Sequence, residues 1–309
     1  MSVAAAVSVR NISKKFASGK IEVMALKEIS FEVKPGELFG LIGPDGAGKS
    51  TLFRILTTLM LADQGQATVD GLEVVSQYKE IRKRVGYMPG RFSLYPDLSV
   101  EENLFFFATL FDTSIEENYD LIKDIYSQIE KFRKRKAGQL SGGMKQKLAL
   151  SCALIHRPSV LFLDEPTTGV DAVSRKEFWE LLRKLQMQKI TILVSTPYMD
   201  EASLCDRVAL IQEGKILDID SPQGITKKFT RTLWSAHGKD MFSLMVDLKA
   251  MDNVFSCYPF GQEHHVVFKQ ETQSIDEVVG QLSKQGQGDV RFEKINATIE
   301  DCFMALMNG

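Results

Sequence analysis

Apolar and polar positions alternate near the start of the chain and then give way to continuous apolar runs. Residues 7–16 (VSVRNISKKF) and 21–43 (IEVMALKEISFEVKPGELFGLIG) are typical of short β-strands, with KPGE as a turn. The run LFGLIG at 38–43 does not alternate, which indicates a strand buried on both faces of a parallel sheet. A glycine-rich loop follows, and then the helical pattern KSTLFRILTTLM at 49–60. This order predicts an α/β fold around a parallel sheet, with antiparallel strands at the N-terminus.

Helical patterns dominate the middle of the chain. Ser99 and Glu102 have the spacing of a capping box ahead of the apolar stretch LFFFATLF at 104–111. Strand patterns return at 160–164 (VLFLD) and 190–196 (ITILVST), separated by an amphipathic helical pattern. We therefore predict an α/β core that carries a helical insertion at about residues 90–158.

The segment DSPQG at 220–224 predicts a turn and a domain boundary. Beyond it, strand-like stretches (TLWSAH, HHVVFK, VRFEKI) alternate with helix-like ones (SIDEVVGQLSKQ, TIEDCFMALM). We expect one domain at 1–222 and a small α+β accessory domain at 223–309.

Composition narrows the class of protein. The 309 residues carry a formal net charge of −2, which gives no electrostatic reason to expect a nucleic-acid partner. The four cysteines lie far apart and form no CxxC pair, as expected of reduced thiols in a cytoplasmic protein. The N-terminal residues lack the pattern of a signal peptide, and no apolar stretch approaches the roughly 20 residues that a bilayer span needs.

The loop GPDGAGKS at 43–50 matches the phosphate-binding pattern G-x-x-x-x-G-K-[ST] and stands between a strand and a helix, as that motif requires. Its backbone N–H groups are expected to surround phosphate oxygens. Lys49 would reach the β- and γ-phosphates, and the Ser50 hydroxyl would bind Mg²⁺. The predicted nucleotide-binding residues of this segment are Gly43, Pro44, Asp45, Gly46, Ala47, Gly48, Lys49, Ser50 and Thr51.

Two carboxylates end the apolar run VLFLDEP at 160–166. Asp164 is placed to bind Mg²⁺ beside Ser50, and Glu165 to polarise the water that attacks the γ-phosphate. A solvated pair at a strand end is the alternative, which the phosphate loop disfavours.

A second anion-binding feature lies in QLSGGMKQK at 139–147. Ser141 is a good N-cap, and Gly142 and Gly143 expose backbone N–H groups at the positive end of a helix dipole. A chain with one complete phosphate loop has no evident need of another.

The phosphate loop, LSGG and LFLDEPTTGVD, in this order, make residues 5–222 resemble the ATP-binding domain of an ABC transporter. The resemblance implies ATP and Mg²⁺ as ligands and a head-to-tail dimer, in which Ser141, Gly142 and Gly143 complete the partner's site. The partner would be a second ABC ATPase subunit, identical or different, beside an integral-membrane permease. The resemblance also implies that Phe16 stacks on adenine and that Asp171 acts across the dimer. Further segments, such as STPYMDEA, are similar to exporters of the ABC-2 and drug-efflux type.

Two positions depart from that family. Gly90 stands where the family usually has a glutamine that contacts Mg²⁺ and water, and Pro197 where it has a histidine that contacts the γ-phosphate. Neither residue supplies the missing side chain, so we expect a slow site on this chain's own phosphate loop, unless neighbouring groups compensate.

The leading hypothesis is the ATPase subunit of an exporter, peripheral on the inner face of the cell membrane. The rival is a soluble ABC-type ATPase that acts on DNA or ribosomes. DNA-repair relatives carry a long coiled coil between the phosphate loop and LSGG, the family's signature segment, whereas Lys49 and Ser141 are only 92 residues apart here (141 − 49). Translation factors carry two such domains in one chain, whereas this sequence has one. A third alternative, a P-loop kinase or GTPase, would not explain the LSGG segment.

Overall fold

The computed structural model of the protein describes residues 4–18, 21–91, 93–270 and 274–307. The chain divides into two compact units, Met1–Pro222 and Gln223–Gly309.

The first unit is an α/β structure. Its strands are β1 (Val7–Ser18), β2 (Ile21–Val33), β3 (Leu38–Ile42), β4 (Gln64–Val69), β5 (Leu72–Glu73), β6 (Val85–Met88), β7 (Val160–Asp164), β8 (Thr191–Thr196), β9 (Arg207–Gln212) and β10 (Lys215–Asp220). Its helices are α1 (Lys49–Leu56), α2 (Tyr78–Arg84), α3 (Val100–Leu110), α4 (Tyr119–Tyr126), α5 (Gly142–Leu154) and α6 (Ala172–Met187), with short 3₁₀ helices at Glu130–Phe132, Ala137–Gln139 and Met199–Leu204.

Six strands form the central sheet in the order β10-β9-β3-β8-β7-β6. The neighbours from β9 to β6 pair in parallel, and only β10 pairs antiparallel, at one edge. The strands β3, β7 and β8 are buried along their whole length, which explains their unbroken apolar sequences. Their carboxyl ends meet at one edge of the sheet, where open α/β sheets bind their ligands.

A second sheet, β2-β1-β4-β5, is antiparallel and packs on the central one. Phe31 of β2 stacks on Phe39 of β3 with ring centroids 5.3 Å apart, and Phe53 of α1 meets Phe162 of β7 edge-on at 5.6 Å. These rings belong to one buried cluster that both sheets and α1 share. The predicted α/β class, with N-terminal antiparallel strands, is confirmed.

The first and the last α-helix of the helical insertion begin with predicted caps. Ser99 Oγ accepts a hydrogen bond from the Glu102 N–H at 3.2 Å, and Glu102 Oε2 accepts one from the Ser99 N–H at 2.7 Å, so the capping box is present. Ser141 caps α5, with its Oγ 3.4 Å from the Met144 nitrogen. Helix α5 therefore starts at Gly142, which is exposed.

The second unit contains one four-stranded antiparallel sheet in the order β12-β13-β11-β14, with its own apolar core. Its elements are α7 (Pro222–Lys227), β11 (Leu233–His237), α8 (Met241–Ala250), β12 (Val254–Phe260), β13 (Glu263–Phe268), α9 (Ile275–Lys284), β14 (Arg291–Ile295) and α10 (Ile299–Met307).

Sequence patterns alone did not indicate α8 or β12. Strand β12 contains Pro259 and has an irregular burial pattern, both of which weaken a strand signal. It lies at the sheet edge, where Pro259 is tolerated because a strand with only one neighbour does not need every backbone N–H for pairing. Within the described residues no helix is long and apolar enough to cross a bilayer. All four cysteines are buried free thiols.

Candidate functional site

The phosphate loop connects the end of β3 to the start of α1. A Cβ atom at Gly43 would lie 2.1 Å from the Ile211 carbonyl oxygen, so that position admits only glycine. Gly48 has φ +105° and caps α1 from the left-handed region. Ala47 is buried, whereas Asp45 and Gly46 lie exposed at the tip of the loop. The loop is therefore fixed at both ends and open at its centre.

Lys49 is the first residue of α1 and is 3% exposed. Its Nζ donates hydrogen bonds to the carbonyl oxygens of Gly43 at 2.8 Å and Pro44 at 3.0 Å. The same ammonium group lies 3.1 Å from Glu165 Oε1. The structure thus brings together the two charged residues to which the sequence assigned nucleotide binding and catalysis. Ser50 and Thr51 follow Lys49 in the first turn of α1.

Asp164 and Glu165 end β7 next to the last residues of β8. Ser195 Oγ donates to Asp164 Oδ1 at 2.6 Å and accepts from the Glu165 N–H at 3.1 Å. The Glu165 N–H also donates to the Ser195 carbonyl oxygen at 3.0 Å. Glu165 has φ +51°, a conformation that costs a non-glycine residue about 1–3 kcal/mol and is typical of functional sites. Ser195 therefore orients the Asp164 carboxylate and holds the Glu165 backbone in place.

The sequence analysis did not single out Ser195. A signal was present, because this serine interrupts the apolar run of a fully buried parallel strand close to its carboxyl end. The pattern could not show which carboxylates it meets, since those belong to a strand that is distant in sequence.

Both departures from the family pattern lie close to the carboxylates or the phosphate loop. A Cβ atom at Gly90 would lie 3.0 Å from the Asp164 carbonyl oxygen and 3.8 Å from Glu165 Cβ. A cavity of about 150 Å³ opens there, lined by Gly90 and Glu165 among others. Pro197 directly follows Thr196, whose carbonyl oxygen accepts a hydrogen bond from the Gly43 N–H at 3.3 Å.

The signature residues and the Asp171 loop lie side by side. A Cβ atom at Gly142 would lie 3.5 Å from the Gly169 carbonyl oxygen, and one at Gly143 would lie 2.8 Å from Ser174 Oγ. Asp171 is the exposed N-cap of α6, and its Oδ1 accepts from the Ser174 N–H at 2.9 Å. That hydrogen bond lowers the pKa of the Asp171 carboxyl, which therefore stays ionised. Ser141 and Gly142 are likewise exposed.

Phe16 lies on β1 with 42% of its surface exposed. It pairs across the sheet with Val23 of β2, which is also exposed. An accessible aromatic ring at this place is available for stacking on a base.

An apolar groove of about 530 Å³ lies between α3, α5 and β6, lined by side chains that include Leu94, Phe107, Leu110, Phe111 and His156. Leu110 is 60% exposed. The His156 ring stacks on Phe111 at 3.8 Å, and its Nε2 lies 3.0 Å from the Val85 carbonyl oxygen. Burial lowers the pKa of His156, so the groove presents a neutral ring among apolar walls. Open, mainly apolar surfaces of this kind are typical of interaction sites.

Comparisons with known proteins agree on one family. The sequence profile described as "ABC transporter" matches residues 26–168. The chain is 38% identical over 250 residues to the Nod factor export ATP-binding protein I of Burkholderia lata. The aligned region covers 80% of this chain and 81% of that protein. It is 35% identical over 215 residues to the ABC transporter ATP-binding protein NatA of Bacillus subtilis, covering 68% of this chain and 87% of that protein.

A further relative is the probable multidrug ABC transporter ATP-binding protein YbhF of Escherichia coli, 37% identical over 222 residues. The match covers 71% of this chain but only 38% of YbhF, so the chain spans well under half of that relative.

Solved structures give the same answer. The ATP-binding cassette MJ0796, described as dimeric, superposes on this chain with a TM-score of 0.64 at 26% sequence identity. The superposed region covers 70% of this chain and 98% of the MJ0796 chain. The same cassette is also known in a post-hydrolysis state bound to ADP and Pi, with the same TM-score and identity. With its phosphate loop, paired carboxylates and signature helix, the chain belongs to the ATP-binding subunits of ABC transporters, a family of ATP hydrolases.

Proposed function

We propose that this chain binds Mg-ATP on residues 43–51 and hydrolyses it in a head-to-tail dimer that powers a separate membrane exporter. The observation that carries the proposal is the ion pair between Lys49 of the phosphate loop and Glu165, which directly follows Asp164 at the end of β7. Backbone N–H groups of the loop would hold the phosphates, with Lys49 as a point charge on the β- and γ-phosphates. Phe16 would stack on the adenine.

The residues present fit Mg²⁺. Ser50 offers a hydroxyl oxygen and Asp164 a carboxylate, and oxygen ligands of this kind are those that Mg²⁺ prefers. Asp164 is buried and oriented by Ser195, so its carboxylate does not depend on solvent for its position. When bound, the ion would neutralise charge on the β- and γ-phosphate oxygens.

Glu165 is the proposed general base. It would take a proton from the attacking water, whose oxygen bonds to the γ-phosphorus while the bond to the β–γ bridging oxygen breaks, giving ADP and phosphate. Positioned base catalysis contributes about 10²–10⁴ in rate. Gly90 and Pro197 leave this site without two side chains that would position the water and the γ-phosphate, so we expect slow turnover. One proposed assembly is a heterodimer with a second ATPase subunit that carries both side chains.

The dimer accounts for the second anion-binding feature. Ser141 and Gly142 lie exposed and Gly143 half-buried at the N-terminus of α5, next to the loop that carries Asp171. In the proposed dimer this surface completes the nucleotide site of the partner, whose phosphate loop faces it. The dimeric form of MJ0796 supports a dimer.

The apolar groove would receive a cytoplasmic segment of the permease. It is a large, open and mainly apolar cavity, and exposed Leu110 continues it onto the surface of α3. The relatives named for multidrug and Nod factor export support an exporter. The chain would then lie peripherally on the inner face of the membrane, with residues 223–309 as an accessory domain.

Three measurements test the proposal: phosphate release, ATP binding and affinity capture. Phosphate release from Mg-ATP by the purified chain tests hydrolysis, and the absence of any ATP binding would reject the nucleotide site. Affinity capture from detergent-solubilised membranes tests the groove with Leu110→Glu against the exposed control Met187→Glu, which lies outside it. Wild type and Met187→Glu should retain one multi-spanning membrane protein that Leu110→Glu loses. Equal retention by both variants would reject the groove as the docking site.

A further inference from the structure

Glu201 is a buried carboxylate that the sequence patterns did not mark. It lies in the 3₁₀ helix Met199–Leu204, soon after the end of β8, and is 2% exposed. Glutamate is almost never buried to this degree without partners. An unpaired charge in the interior costs on the order of several kcal/mol even after relaxation. Its contacts therefore indicate what it holds together.

One oxygen of Glu201 joins two loops of the site. Glu201 Oε2 accepts a hydrogen bond from Thr196 Oγ1 at 2.6 Å and another from Thr167 Oγ1 at 3.1 Å. Both hydroxyls are fully or almost fully buried. Thr196 ends β8 and binds the first residue of the phosphate loop through its carbonyl oxygen, at 3.3 Å from the Gly43 nitrogen. Thr167 belongs to the segment that runs from Glu165 to Asp171.

The other oxygen faces a cation of α6. Glu201 Oε1 lies 3.6 Å from Arg175 Nε, and Arg175 also pairs with Asp200 at 2.8 Å. The guanidinium group lies 4.8 Å from the centre of the Tyr198 ring, directly after Pro197. Glu201 thus connects three elements: the strand end beside the phosphate loop, the segment after the proposed base, and the first turn of α6.

We propose that Glu201 is a positioning residue for ATP hydrolysis. It fixes the segment 165–171 against the end of β8 and so holds Glu165 and Asp171 in register with the phosphate loop. Glu165 needs such support because its backbone is in the left-handed region. A displacement of about 1 Å in a reacting group lowers turnover roughly 10²-fold. The loop backbone and Lys49, which would bind the phosphates, lie outside this segment, and Lys49 is also held by the carbonyl oxygens of Gly43 and Pro44, so ATP affinity should change much less. The inference rests on the proposed hydrolysis by this chain.

The test compares turnover with ATP affinity. Glu201→Ala should lower single-turnover phosphate release at least tenfold, while the Kd for ATP stays within about threefold of wild type. Glu201→Gln keeps an oxygen acceptor for the two hydroxyls but loses the charge opposite Arg175. Its rate of phosphate release should therefore lie between those of wild type and Glu201→Ala. The matched control is Glu180→Ala, at an exposed glutamate of α6, which should match wild type.

A double-mutant cycle separates positioning from general stabilisation. If Glu201 acts through Thr167, Glu201→Ala should lower the rate of phosphate release by a much smaller factor in a Thr167→Val background than in wild type. Purely additive costs, unchanged turnover in Glu201→Ala, or an equal loss of ATP affinity would overturn the inference. If Glu201→Ala does not fold, the turnover rates of Glu201→Gln and Thr167→Val test the inference instead. Wild-type turnover in both of these variants would overturn it. These results differ from failure of the proposed function, in which wild type itself releases no phosphate.

Discussion

Lys49 Nζ lies 3.1 Å from Glu165 Oε1, so the proposed phosphate-binding cation and the proposed catalytic base form an ion pair. Lys49 is buried, and its other two donors are held by the carbonyl oxygens of Gly43 and Pro44. A triphosphate that binds to this ammonium group must therefore compete with Glu165 for it. Binding and catalysis are linked through one contact, and each member can be removed separately.

Glu165→Gln removes the base and keeps its size. We expect turnover to fall about 10²–10⁴-fold, because a positioned base contributes this much. ATP should bind more tightly than to wild type, since the neutral amide competes less with the triphosphate for Lys49 and does not repel it. Phosphate release and calorimetry measure the two effects.

The Glu165→Gln chain should also elute as a dimer in the presence of Mg-ATP, because the sandwich would form but not turn over. Glu116→Gln, at an exposed glutamate of the helical insertion, serves as the control and should behave as wild type. Full turnover in Glu165→Gln would exclude this residue as the base.

Lys49→Ala removes the cation and leaves Glu165 without its partner. Hydrogen bonds to charged groups contribute about 1.5–3 kcal/mol, which corresponds to a loss of roughly 10- to 150-fold in ATP affinity. The fold should persist, because the central sheet and the shared aromatic cluster do not depend on this side chain. Calorimetry on folded Lys49→Ala, with exposed Lys176→Ala as the control, measures the loss. Unchanged affinity would contradict the assignment of the phosphate loop.

The parts of the site that follow from local sequence were predictable. Gly43 to Ser50 form a contiguous motif between a buried strand and a helix, and the Ser99 and Ser141 caps depend on neighbours three residues away. These features need no knowledge of the rest of the chain.

The contacts that complete the site were not predictable in this way. Ser195 orients Asp164 and Glu165 because β8 pairs with β7, and Glu201 joins Thr167 to Thr196 across two loops. Such contacts depend on strand order and register, which the apolar run of a buried strand leaves open. In the second unit, β12 escaped prediction because Pro259 weakens its pattern, and its place at the sheet edge is a tertiary property.

Gly90→Gln combined with Pro197→His should raise the turnover of the purified chain. A Cβ atom at position 90 would lie 3.8 Å from Glu165 Cβ, so a longer polar side chain there starts beside the proposed base. The approach of 3.0 Å to the Asp164 carbonyl oxygen requires a shift of a few tenths of an ångström. Because phosphoryl transfer depends on positioning, the rate should rise while ATP affinity changes little.

Each single substitution serves as a control for the pair, and we expect each to give a smaller gain than the double variant. Equal turnover before and after, or brisk hydrolysis by the unmodified homodimer, would show that neighbouring groups compensate for Gly90 and Pro197.

The second unit contains a buried polar network that predicts its behaviour in acid. His265 lies between two carboxylates, with Nδ1 at 2.6 Å from Asp301 Oδ1 and Nε2 at 3.1 Å from Glu263 Oε1. Burial raises the pKa of Asp301, but hydrogen bonds from Thr298, Tyr258 and His265 together outweigh it and lower the pKa below the ordinary 3.8. The hydrogen bond from Ser235, followed by that from His265, lowers the pKa of Glu263 below the ordinary 4.5.

A carboxyl whose pKa is lowered by folding stabilises the folded state fully above its unfolded pKa, and that contribution disappears as the pH falls through the folded value. The second unit should therefore keep these contributions at pH 7 and lose them below about pH 4. Asp301→Asn removes one of the two titrating groups. It should be less stable than wild type at pH 7, because a buried partner of His265 is lost, but its stability should fall less between pH 5 and pH 3.

Denaturant unfolding at pH 7, 5 and 3 measures this, with Trp234 of β11 as the probe in a Trp179→Phe background, since the chain has two tryptophans. Asp252→Asn, at an exposed aspartate of the same unit, is the matched control and should follow the wild-type pH dependence. If Asp301→Asn loses as much stability between pH 5 and pH 3 as Asp252→Asn does, the Asp301 carboxyl does not contribute to stability through the network. The acid sensitivity of the unit would then have to come from groups outside the contacts of His265.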